Sequence, residues 1–224
     1  MPHTLSTPHR VTPAAPASRL GATALVGAMA AGPLFLGAAV VQGLARDGFD
    51  FTRNAFSQLV LGESGWVQTV NFLLAGALLT AGAAGLRRML GGDAGGTWGP
   101  VLIGVFGVSF WAAAAFPADA GAGFPAGAPD STVLSGHGAA HMAAGIIGYL
   151  ALCAAFVVLS RPLAARGHRG WAVASRLVPV AVLAGFMASA ASVLAFTAGA
   201  GLGLLSLTAV TARLTMTPTP PHTT

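Results

Sequence analysis

His137 and His141 are four residues apart within an apolar stretch that reads as helix. Side chains at i and i+4 share one helical face, about 6 Å apart at Cβ. Two imidazoles so placed would bind one divalent metal ion, such as zinc, with Asp119 adding an oxygen ligand. Metal-bound water would then be the nucleophile of a hydrolysis. The alternative for these histidines is structural, as hydrogen-bonding partners of loop carbonyls. Arg53 and Ser57 lie four apart in the segment Asp50-Phe51-Thr52-Arg53-Asn54-Ala55-Phe56-Ser57. Arg53 would hold a lipid phosphate or a developing oxyanion, and Ser57 would be a ligand-binding hydroxyl or a nucleophile. Against that stand a snorkelling arginine and a capping serine. Asn54, Gln68, Asn71 and Ser192 complete the polar candidates, and Gln68 and Asn71 serve equally well as interhelical hydrogen-bonding glue. Heme is not expected. Its bis-histidine ligation needs imidazoles on both sides of the iron, and His3, His9, His168 and His222 lie in predicted tails or a loop.

These residues sit in a chain made for lipid. Of its 224 residues 54% are hydrophobic and only 8% charged, with a mean hydropathy of +0.74. A soluble domain carries about 25% charged residues. With so few charges, a water-facing surface would aggregate. Eleven arginines against six acids give a net charge of +5, and lysine is absent. The arginines are scattered between apolar runs, which suits anionic headgroups and excludes a nucleic-acid patch. Cys153, the single cysteine, has no partner for a disulfide and reads as a small buried hydrophobe.

The apolar runs predict an all-α, polytopic membrane bundle of six transmembrane helices. They cover residues 20–44, 66–86, 98–116, 135–159, 177–197 and 201–216. About 20 residues cross a bilayer. The first run is too long for a cleaved signal peptide, so it reads as an uncleaved span, and neighbouring helices can satisfy the carbonyl that Pro33 frees. Residues 177–216 are too long for one span, and Ala198-Gly199-Ala200-Gly201 is the predicted turn. Residues 1–19 and 217–224 read as disordered tails flanking a single domain, 20–216. Gly76, Gly82, Gly85, Gly104 and Gly107 predict close helix contacts. Trp66 and Trp98 predict interfacial anchors at opposite faces. A short interfacial helix is expected around Phe56, Leu59 and Val60.

The arginines orient the bundle. With both termini in the cytoplasm, nine arginines lie inside and only Arg46 and Arg53 outside. The polar candidates then gather at the outer face of a multi-pass protein of the cell membrane.

Several segments together resemble the domain-of-unknown-function 998 family of bacterial and archaeal membrane proteins. They are Arg53-Asn54-Ala55-Phe56-Ser57-Gln58-Leu59, Gly65-Trp66-Val67-Gln68 with Asn71-Phe72, Phe116-Pro117-Ala118-Asp119 and His137-Gly138-Ala139-Ala140-His141. The resemblance implies a six-span bundle and supplies no activity. Members usually carry a longer polar connection between spans five and six. In type and order, Ser57, Asp119, His137 and His141 are also similar to the zinc-holding residues of ceramidase-like membrane hydrolases, whose third metal-binding histidine has no counterpart here. Two functions follow as expectations. One is a metal-dependent hydrolase of a lipid or amide at the outer face. The other is a non-enzymatic lipid-binding, transport or partner-subunit protein. Either way the surroundings are the bilayer, a lipid is one candidate ligand, and no nucleic acid is expected, with oligomeric state open.

Overall fold

A computed structural model describes residues 16–216. Six helices follow one another: α1 (Pro16–Ala45), α2 (Gly65–Leu90), α3 (Trp98–Ala115), α4 (Gly136–Ala165), α5 (Arg169–Met187) and α6 (Val193–Thr215). Each carries a segment long and apolar enough to cross a membrane. The predicted tails lie outside the described residues, except that α1 is already helical at Pro16. There is no strand among the described residues, only an isolated bridge between Gly121 and Phe124.

Successive helices pack against each other, and α6 returns to α1, so the six close into a ring. Loops 46–64 and 116–135 and the turn 188–192 gather at one end. Loops 91–97 and 166–168 gather at the other, with Arg87, Arg88, Arg161, Arg166, Arg169 and Arg213 at or near them. Trp66 and Trp98 are exposed at opposite ends of the ring, as interfacial anchors should be.

Small residues let the helices approach. A Cβ on Gly82 of α2 would stand 2.2 Å from Ala28 Cβ of α1, and one on Gly107 of α3 would stand 2.6 Å from Thr80 Oγ1 of α2. Gly104 meets only Ala83 Cβ, at 3.8 Å, and marks no such approach. Pro33 has no N–H for the Met29 carbonyl, one turn back. Thr208 of α6 donates its hydroxyl to that carbonyl at 2.9 Å, so a neighbouring helix does fill the vacancy. Phe72, Leu79, Ile103, Phe106, Leu152, Phe156 and Leu204 form the central apolar core.

Two boundaries differ from the sequence expectation. The chain turns at 188–192, not at 198–201, so the last spans are Arg169–Met187 and Val193–Thr215. Ser192 begins α6 by accepting a hydrogen bond from the Ala195 N–H at 3.1 Å. Gly199 lies within α6, at its crossing with α5. The basic stretch 161–176 is also mostly helical, because α4 runs on through Arg161 and α5 begins at Arg169. Arginines at span ends extend their long stems and keep the helix intact.

Candidate functional site

At the loop-rich end, loop 46–64 is folded by its own polar side chains. Asn54 is buried. Its Oδ1 accepts from the Asp50 N–H at 2.9 Å, and its Nδ2 donates to the Ala122 carbonyl at 3.3 Å. Gln58 Nε2 donates to the Gly121 carbonyl at 3.1 Å. These bonds join the first loop to loop 116–135. The expected short helix is a 3-10 turn, Phe56–Val60, anchored by fully buried Leu59. Arg46 holds the end of that turn by donating to the Leu59 carbonyl at 2.7 Å and to the Leu61 carbonyl, with its guanidinium 5.0 Å above the Phe124 ring.

Asp119 fastens the start of α4. It accepts from the Ser135 N–H at 2.9 Å and from the Ser135 hydroxyl at 2.6 Å, and Ser135 in turn caps the Gly138 N–H at 3.0 Å. The two bonds from Ser135 hold the Asp119 carboxyl below its ordinary value, with a smaller contribution from the nearby histidines. A Cβ at position 138 would stand 1.8 Å from Asp119 Oδ2, which explains the glycine between the histidines.

The histidines diverge in role. His137 is exposed and packs its ring edge-on to Phe116, 5.8 Å between centroids. His141 places Nδ1 2.8 Å from the Phe116 carbonyl and its ring against Phe72. Among the described residues, no three His, Cys, Asp or Glu side chains converge on a metal-binding point. Arg53 pairs with Asp130 at 2.6 Å in an exposed contact. Gln68 and Asn71 act between helices. Gln68 Oε1 accepts from Gln42 of α1 at 2.8 Å and from Asn71 at 3.1 Å, while Asn71 donates to the Phe35 carbonyl at 3.0 Å.

Two cavities occupy this end. A chamber of about 560 Å³ lies inside the ring, and every helix contributes one aromatic side chain to its wall. These are Phe35, Phe72, Phe110, Tyr149, Phe186 and Phe196 of α1 to α6 in turn. Ring contacts link them nearly end to end. Phe35 meets Phe72 and Phe110, Phe106 bridges Phe110 to Tyr149, and Tyr149 meets Phe186, which meets Phe196. Along α6 the wall runs from Val193 to Leu204, about 16 Å of helix. A smaller vestibule of about 250 Å³ lies beside it, lined by Arg53, Gln58, Asp119, Thr132 and others. Ala55, Ser57, His141, Met142 and Val193 line both, and form a neck between them.

Of the candidates from sequence, the fold therefore brings Arg53, Ser57, Asp119 and His141 to these cavities. Asn54, Gln68, Asn71 and Ser192 are spent on loop, interhelical and capping bonds, and His137 lies outside both walls. Gln42 and the six aromatics were not apparent from sequence. The available signal was an aromatic residue in every span, with Tyr149 the only tyrosine.

The fold and cavities define a six-span helical membrane protein with an apolar chamber opening toward a polar loop end. The chain belongs to a family described as protein of unknown function (DUF998), whose model matches residues 29–216. No curated protein and no solved structure matches it.

Proposed function

We propose that this protein binds a lipid-like amphiphile, with the tail in the aromatic chamber and the polar head in the vestibule. The carrying observation is the juxtaposition of an apolar chamber of ligand size with a polar vestibule across a shared neck. Small-molecule sites typically enclose about 300–1,000 Å³ with mostly apolar walls and few polar groups. Gly145 supplies the test. It lines the chamber, and a Cβ there meets nothing within 4 Å. Gly145→Phe should fill the chamber without straining the ring. Native mass spectrometry of protein purified in diacyl-lipid nanodiscs should find a bound amphiphile on the wild type and none on the variant, with unchanged thermal unfolding. Equal occupancy on both would sink the reading.

A second reading is the metal-dependent hydrolase, with Asp119, His137 and His141 as ligands and Ser57 and Arg53 beside the substrate. It is supported by the placement of Ser57 and His141 in the neck. It requires Asp119 to share its oxygens with Ser135. The geometry favours binding, so elemental analysis should give well below one zinc, iron or manganese per chain. A stoichiometric metal lost in His141→Ala would reverse that preference.

We further propose that the loop-rich end faces out of the cell. Seven arginines (Arg87, Arg88, Arg161, Arg166, Arg169, Arg176 and Arg213) lie in the other half, against Arg46 and Arg53 here. Cys153 is buried and should not react with a membrane-impermeant maleimide. A cysteine placed by Glu63→Cys should therefore be labelled in intact cells, and one placed by Arg169→Cys only after lysis. The reverse pattern would invert the topology.

A further inference from the structure

The neck and the chamber volume together specify the ligand further, on the premise that the chamber binds an amphiphile at all. The Phe116 carbonyl can only accept a hydrogen bond. The proton between it and His141 therefore sits on Nδ1. In the neutral ring this leaves Nε2 as an acceptor, on a residue that lines both cavities. The Ser57 hydroxyl lines the same neck and can take either role. A ligand crossing the neck thus finds a fixed acceptor there. A group that carries its own proton satisfies it, whereas an ester oxygen at that point would leave Nε2 desolvated and unpaired.

Volume limits the tail. A methylene is similar in size to a water molecule, which takes roughly 30 Å³ of liquid. The chamber of about 560 Å³ then matches about 19 such groups, the size of one long chain.

We infer that the ligand is a single-chain lipid with a hydroxyl or amide N–H next to the chain, seated so that this group donates to His141 Nε2. Photolabelling in phosphatidylcholine nanodiscs tests this. The probe is a long-chain alcohol with a diazirine at its tail end. Label should appear on peptides containing Tyr149 and Leu204, and Gly145→Phe should abolish it. The primary amide of a fatty acid, with its N–H next to the chain, should compete at concentrations at least about tenfold lower than the methyl ester of the same acid. In His141→Phe, which keeps a ring but no acceptor, that preference should fall below about threefold while label persists. His141→Gln, which restores an acceptor, should recover it.

Equal competition by the amide and the methyl ester in the wild type would overturn the donor requirement. If the alcohol gives no label while Gly145→Phe loses a bound diacyl lipid, the single-chain limit fails and amphiphile binding stands. If neither lipid responds to Gly145→Phe, the underlying reading fails with it.

Discussion

Replacing Arg166 with methionine is expected to destabilise the bundle by about 2–4 kcal/mol, read from SDS-induced unfolding in mixed micelles. The Arg166 side chain is only 4% exposed. It donates to Asp93 Oδ2 at 2.9 Å and to the Leu214 carbonyl at 2.9 Å. One guanidinium thus joins the end of α4, the loop between α2 and α3, and the last turn of α6. That last turn ends in carbonyls without helical partners, and a cation beside them is also favoured by the helix dipole. Removing one partner of a buried ion pair costs about 3–5 kcal/mol, because the other charge stays behind. Asp93 keeps some water, at 21% exposure, which lowers the expected loss. The double variant Arg166→Met with Asp93→Leu removes the stranded carboxylate and should regain at least half of the loss. A double variant as unstable as Arg166→Met would show that the pair itself is not what holds this end.

How far the sequence reveals this molecule depends on what each residue faces. The six spans were legible because a 20-residue apolar run has few other homes. The role of Thr208 toward Pro33 was anticipated in kind, since a carbonyl left free in lipid must find a donor. The gathering of Arg53, Ser57, Asp119 and His141 at one end of the bundle followed from helix ends and loop order. The chamber was not legible. An aromatic ring facing a void and one facing a packed core look the same in a hydropathy pattern, so Phe35, Phe110, Phe186 and Phe196 disappeared into their spans. Nor does an i, i+4 pair say which histidine looks inward. His141, one turn deeper, meets Phe116 and the neck, whereas His137 sits at the exposed start of α4.

The misplaced turn between the last two spans has a physical cause, and it carries the second large expectation. Ala188-Ser189-Ala190-Ala191-Ser192 holds no glycine or proline, so nothing in it signals a break, while Ala198-Gly199-Ala200-Gly201 does. In a membrane the glycine signal is ambiguous, because small residues also let helix backbones touch. A Cβ on Gly199 would stand 3.1 Å from Gly185 Cα and 3.3 Å from the Ala181 carbonyl, and one on Gly185 would stand 2.8 Å from the Ala195 carbonyl. Those neighbours are backbone and cannot swing away. Gly199→Leu should therefore force α5 and α6 apart and cost about 3 kcal/mol, near the upper end for overpacking. It should also disturb the chamber, whose wall includes Phe186 and Ala200 beside the crossing. Gly37 of α1 is the contrast, since a Cβ there meets nothing within 4 Å. Gly37→Ala should be neutral or stabilise by about 0.5–1 kcal/mol through helix propensity alone. If Gly199→Leu and Gly37→Ala shift SDS-induced unfolding equally, glycine at 199 is not a contact residue. A loss confined to Gly199→Leu would establish that the α5–α6 crossing, and with it one wall of the chamber, depends on two bare backbones meeting.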